Sequence, residues 1–165
     1  MHLSEYDYTL PGAYFCTMCV QGRACVLGEV VEGKVVLSEC GHIAAKTWLW
    51  LAERYPYVTL DEWIVMPNHL HGIIVIEDDR REKHKPLGRL IGAFKTVFTK
   101  QLNAQHGTPG SAFWQRDYYE RVIRNERELD AIRQYIVDNP LQWELDREHP
   151  KNWDQTGGRF TNRPY

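Results

Sequence analysis

Apolar residues fall at two spacings along this chain, and the changes between them mark out the elements. GAYFCTMCVQG is dense in aromatic and β-favouring residues and predicts a strand through Tyr14–Val20. Ala24–Val31 and Lys34–Leu37, separated by Glu32-Gly33, predict a hairpin. Ile43, Ala44, Trp48, Leu49 and Leu51 then recur at helical spacing, which predicts a helix from an N-cap at Ser38 to about Arg54, closed by Pro56. Tyr57–Val65 and His69–Ile76, joined by a turn at Met66-Pro67-Asn68, predict an antiparallel pair at the centre of a sheet. A charged loop covers Glu77–Pro86. Leu90, Ile91, Phe94, Val97, Phe98 and Leu102 line one side of a helix from Leu87 to roughly Ala104. After a break at Gly107–Ser111, Tyr118–Ile123 predicts a last strand. Asn125 can cap a final helix from Glu126 to about Asn139, with Leu129, Ile132 and Ile136 as its core stripe and Pro140 as its stop. Leu141–Tyr165 lacks periodicity and is expected to be irregular. Strands and helices interspersed on a mainly antiparallel sheet give an α+β, ferredoxin-like single domain.

Composition changes this picture little. The chain has 165 residues, 43% hydrophobic and 25% charged, as expected of one globular domain. Its longest strongly apolar run, Ile73–Ile76, is far too short to span a bilayer, so no membrane partner is expected. The first residues have neither a basic nor an apolar signal region, which points to a cytoplasmic protein. Cys16 and Cys19 form a CxxC, but in a strand residues three apart face opposite ways. Cys25 and Cys40 supply no second close pair, so the thiols are read as reduced, small apolar groups. Net charge is −2, yet Arg80, Arg81, Lys83, Lys85, Arg89, Lys95 and Lys100 face only Glu82 in the same stretch. Arg116, Arg121, Arg124, Arg127 and Arg133 form a second basic group, interleaved with acids. Such a face suits phosphate contact; an ordinary solvated surface explains the charge equally well.

The candidate chemistry begins at His69-Leu70-His71. Residues two apart on a strand share a face, so both imidazoles project together, with Cα atoms about 7 Å apart, close enough to ligate one ion. Paired surface histidines with no ligand are the plainer alternative. Tyr135 and Asn139 lie four apart on the final helix, on one face, about 6 Å along the axis and beside the core stripe. Such a tyrosine can present its hydroxyl to a cleft, and an amide one turn later can complete a two-histidine metal site. A packed aromatic and a C-cap asparagine would leave the same trace.

WIVMPNHLHGIIVI resembles the metal motif of the single-tyrosine transposases, which pair a His-hydrophobic-His strand with a helix-borne tyrosine. FWQRDYYERVIRNERELDAIRQYIVDNP is similar to the second half of the REP-associated tyrosine transposases, a bacterial branch of that group. With FKTVFT, the match covers most of Tyr14–Trp143. It divides the chain into a catalytic domain, 1–143, and an unmatched tail, 144–165.

The resemblance implies roles for individual residues. His69 and His71 correspond to the paired metal ligands, Asn139 to the third ligand, and Tyr135 to the nucleophile. Tyr118 and Tyr119 are competing phenols on the preceding strand. The implied enzyme is metal-dependent, using Mg²⁺ or Mn²⁺, and cuts and rejoins single-stranded DNA through a 5′-phosphotyrosine link. The implied partners are palindromic repeats folded as hairpins, met by a monomer or homodimer. Lys95 is the first candidate for a phosphate contact, followed by Arg89, Arg116, Arg121 and Arg124; Trp114 and Gln115 could meet bases at a hairpin foot. Two other readings compete. One is a non-catalytic nucleic-acid-binding domain on the same sheet. The other is a metal hydrolase using the histidines with Asp61 or Glu62.

Overall fold

The computed structural model describes residues 12–77, 85–106 and 112–148. The basic residues Arg80, Arg81 and Lys83, the break at 107–111 and the tail from 149 onward therefore lie outside the described residues. Strand β1 (Gly12–Cys19) is followed by a single 3-10 turn (Gln21–Arg23) and the hairpin β2 (Gly28–Val31) and β3 (Lys34–Leu37). Helix α1 (Glu39–Arg54) begins where expected, with Ser38 Oγ accepting from the Gly41 amide at 3.1 Å. Strands β4 (Val58–Met66) and β5 (His69–Ile76), helix α2 (Leu87–His106), strand β6 (Tyr119–Ile123) and helix α3 (Glu126–Glu148) complete the chain.

The main sheet has the order β4-β5-β1-β6 and is antiparallel throughout. Setting the β2–β3 hairpin aside, this is the βαββαβ arrangement of a ferredoxin-like domain, with α3 added. Strand alternation splits the sheet into two unlike faces. Tyr14, Cys16 and Met18 of β1 and Leu70 and Ile74 of β5 join α1 and α2 in the larger core. Phe15 and Ile73 join Ile123, Ile132 and Ile136 in a small core under α3. Gly72 shares the first face by alternation, and a β-carbon there would run into the indole of Trp48.

Helix α3 departs from expectation. Pro140 is expected to end it near Asn139, with an irregular chain from Leu141 on; instead the helix runs through the proline to Glu148, which also removes the C-cap alternative for Asn139. A mid-helix proline removes one hydrogen bond and costs about 3 kcal/mol. The residues beyond it offset that cost by tertiary contact. Trp143 is buried with its ring 6.2 Å from His69, and the Glu144 carboxylate accepts from the Gly33 amide at 2.7 Å. Asn139 is thus an interior helical residue, buried to 7% exposure.

Candidate metal centre and tyrosine site

Alternation along β5 puts His69 and His71 on the α3 face while Leu70 and Gly72 face α1 and α2. Antiparallel register sets Thr17 of β1 beside His71, with Tyr119 of β6 beyond it. Both imidazoles are buried, at 1% and 0% exposure. Their Nε2 atoms converge to 3.0 Å, and Asn139 Oδ1 lies 3.4 Å from His69 Nε2. Three donors from two elements distant in sequence thus meet at one point, at a spacing that lets both nitrogens face one ion about 2.1 Å away.

The far side of each ring is also occupied. His69 Nδ1 contacts Asn68 Oδ1 at 2.7 Å, and His71 Nδ1 contacts Thr17 Oγ1 at 2.7 Å. Metal-bound histidines typically have such an outer partner, which fixes the ring and turns Nε2 toward the ion. Burial holds the His69 imidazole down to about 3, partly countered by its bond to Asn139. Burial, and then His69 itself, holds His71 well below the usual histidine range. Both rings are therefore neutral near pH 7, the state that can donate a lone pair. Among the described residues no cluster of three His, Cys, Asp or Glu side chains occurs. The donor set is two imidazoles and an amide oxygen, a mixed set acceptable to Mn²⁺ and short of the all-oxygen shell Mg²⁺ prefers.

Tyr135 sits one helical turn before Asn139, its ring 5.4 Å from that of His71 and 6.3 Å from Phe15. Phe15 stacks on His71 at 5.4 Å and meets the Tyr135 ring edge-on. Of the competing phenols, Tyr118 packs against the α1/α2 core and donates to Glu120 at 2.7 Å. Tyr119 shares the α3 face but lies two strands from His71, beyond Thr17.

The expected DNA contacts are not gathered in one way. Arg89, Arg116 and Arg124 are exposed, while Arg121 forms an ion pair with Glu128 at 3.5 Å. Lys95 is half-buried, and its ammonium donates to the carbonyls of Gln115 at 2.9 Å and Arg116 at 3.3 Å. It therefore ties the WQRD segment to α2. Trp114 belongs to the larger core, and the Gln115 side chain donates to the Val20 carbonyl at 3.3 Å. Asp61 sits at a bulge in β4, where both its oxygens accept from Arg133 of α3 at 2.8 and 2.6 Å. That bidentate pair occupies the carboxylate the hydrolase reading needs; Glu62 is exposed beside it. All four cysteines are free thiols, and burial pushes Cys19 up to about 11, which disfavours the thiolate a zinc site requires.

Thr17, Asn68, Phe15 and Trp143 are the site residues that sequence reasoning passed over. Asn68 was visible in principle, since it directly precedes His69. Thr17 was not, because only long-range register brings it to His71.

The profile of the family "Transposase IS200 like" matches residues 33–139. The chain belongs to that family of transposases, enzymes that bind and cleave DNA. A Haemophilus influenzae protein of uncharacterised function is 32% identical, over 89% of this chain and 90% of its own length. A putative REP-associated tyrosine transposase of the same organism is 27% identical, over 85% and 77% respectively. In fold the chain is similar to a REP-associated tyrosine transposase solved bound to a REP hairpin, with a TM-score of 0.62 and 19% identity over 86% of this chain and 74% of that one. It is also similar to a putative transposase from Deinococcus radiodurans, with a TM-score of 0.52 and 18% identity over 82% and 95%. No helix among the described residues is long and apolar enough to cross a membrane.

Proposed function

We propose that this transposase nicks and rejoins single-stranded DNA at hairpin-forming repeats, with Tyr135 as the nucleophile and His69, His71 and Asn139 as the metal ligands. The observation that carries the reading is the meeting of His69 Nε2, His71 Nε2 and Asn139 Oδ1 directly beside the Tyr135 ring. His69, His71 and Asn139 would hold a divalent cation, Mn²⁺ or Mg²⁺, which would supply positive charge to a phosphate bound beside it.

This chain's own residues do the rest. A phenol with an ordinary pKa of about 10 is a poor nucleophile until its proton is drawn off in the transition state. The Tyr135 oxygen bonds to phosphorus as its proton passes to solvent, the bond from phosphorus to the 3′ oxygen breaks, and that oxygen takes up a proton from solvent. The result is a 5′-phosphotyrosine and a free 3′-hydroxyl. The ester conserves bond energy, so attack by a 3′-hydroxyl reverses the step and rejoins a strand without ATP. Phe15 packs edge-on against the phenol ring, and Asn139 would tie its helix turn to a bound metal. The exposed Arg89, Arg116 and Arg124, with Arg121 at the β6 edge, offer phosphate contacts along the backbone. Lys95 contributes by ordering the segment that carries Arg116, with one N–H left for a phosphate. The hairpin as substrate is carried over from the REP-associated relative solved on a REP hairpin.

The test is to incubate the protein with a hairpin oligonucleotide and Mn²⁺, trap the covalent product and map it by peptide mass spectrometry. An adduct on Tyr135, lost on chelation, is expected. Binding without any adduct would replace this reading with that of a non-catalytic DNA-binding domain.

A further inference from the structure

Helix α3 carries the candidate nucleophile, so its rotation about its own axis sets where that phenol points. Its buried stripe toward the sheet includes Ile132, Ile136, Asn139 and Trp143. At about 100° per residue, Arg133 and Tyr135 fall on opposite flanks of that stripe, about 160° apart around the helix. Both are half-buried, as flanking positions should be. The Tyr135 ring lies 5.4 Å from that of His71, while Arg133 reaches the other way, to Asp61 of β4.

The bulge in β4 delivers Asp61 to that flank. Leu60 and Trp63 are three apart, yet both pack on the α1/α2 core, which regular alternation forbids. The extra residue between them leaves Asp61 on the α3 side, where its Oδ1 also accepts from the Glu62 amide at 2.7 Å. Arg133 Nε and Nη2 donate to this carboxylate at 2.8 and 2.6 Å, and Nη1 donates to Asp130 at 3.2 Å. A two-pronged contact fixes direction as well as distance. In the same strand, Ile64 stands opposite His71 in register. The pair therefore fastens the helix to the strand beside the histidines.

Besides Asn139 at the site itself, the polar ties from α3 to the rest of the described fold lie toward its ends. Glu128 pairs with Arg121 at 3.5 Å, and Glu144 accepts from the Gly33 amide at 2.7 Å. Arg133 acts in the turn of Tyr135. With the phenol oxygen roughly 8 Å from the axis, a rotation of about 10° moves it by more than ~1 Å. Such a misplacement at a reacting atom costs up to about a hundredfold in rate. We infer that Asp61 and Arg133 are positioning residues, whose pair sets the rotation of α3 that presents the Tyr135 phenol to the candidate metal centre. The inference rests on the reading of Tyr135 as nucleophile. Neither residue touches substrate in it, and the pair's partial exposure keeps its effect on stability small.

The experiment measures the rate of adduct formation on Tyr135 with hairpin oligonucleotide and Mn²⁺ both saturating. Asp61→Ala and Arg133→Leu should each slow it about 10–100-fold, with hairpin and Mn²⁺ affinities held within about twofold. The double variant should be no slower than either single one, because both remove the same contact. Arg133→Lys, which keeps the charge and loses the fork, should stay slow. Should Asp61→Ala fail to fold, Asp61→Asn, which sets a donor against a donor, gives the same readout. A second measurement is independent of activity. With 3-fluorotyrosine placed at position 135, the fluorine-19 resonance should shift or broaden in both single variants as the ring moves against Phe15 and His71. An unmoved resonance overturns the inference. So does a loss of rate matched by an equal loss of hairpin affinity, which would make Arg133 a DNA contact. A wild type that forms no adduct on Tyr135 defeats the nucleophile reading and the inference with it. A wild type that forms it, with single variants equally fast, defeats the inference alone.

Discussion

The two faces of the central sheet are built from the same strands, yet one is a dry aromatic core and the other carries nearly all the candidate chemistry. On the α1/α2 face, Trp48, Phe94, Phe98 and Trp114 interlock with ring centroids 5.2–6.2 Å apart. On the α3 face, five apolar residues share the space with buried His69, His71, Thr17 and Asn139. Burying polar groups costs free energy unless each finds a partner. The comparison teaches a division of labour: one face supplies the stability that lets the other hold a buried polar arrangement in place.

The sharpest way to break that comparison is to show that a change on one face produces the other face's phenotype. Tyr135→Phe removes one hydroxyl from the α3 face. Covalent adduct and cleavage should vanish, while the urea midpoint and hairpin affinity stay close to wild type. Cleavage that persists, or an adduct on Tyr119, would end the assignment. Trp48→Ala should do the reverse. It should cost about 3–5 kcal/mol in urea denaturation, as large aromatic deletions in cores do, with Mn²⁺ affinity of the folded fraction retained. Gly72→Ala is a gentler probe of the same face, since its methyl group meets the Trp48 ring. A loss of about 1–3 kcal/mol is expected, measured as a lowered thermal midpoint.

The smallest effect belongs to the Asp61–Arg133 pair, which fastens α3 to the bulge in β4. Arg133 holds the Asp61 carboxyl below the usual carboxylate range, chiefly by hydrogen bonding. A depressed folded-state pKa gives stability that is present above the unfolded value of about 4 and lost as pH falls through the folded one. The pair is partly exposed, so screening keeps the contribution small. Wild type should therefore exceed Asp61→Asn slightly in thermal midpoint at pH 7, and the gap should close below about pH 4. A gap that widens in acid would contradict this account.

Local pattern made much of this molecule legible. Period-two alternation placed His69 and His71 on one face of β5, and Ser38 and Asn125 cap their helices, with Asn125 Oδ1 accepting from the Glu128 amide at 2.9 Å. The ferredoxin-like architecture followed from the order of elements. What escaped was long-range. The cost of Pro140 is written locally, but the contacts of Trp143 and Glu144 that offset it are tertiary, so the helix end was misjudged. Lys95 reads in sequence as a free basic residue. Only the packed structure reveals that two backbone carbonyls engage it.

The bulge between Leu60 and Trp63 has one more consequence. β4 is an outer strand of the sheet, and VTLDEWIVM is apolar enough at either end to recruit another chain by backbone pairing. An extra residue at mid-strand breaks the even row of amides and carbonyls that an incoming strand would have to match, and the adjacent Asp61 and Glu62 add charge at the same spot. The irregularity that anchors the tyrosine-bearing helix from one side thus also guards the rim of the sheet against edge-to-edge aggregation.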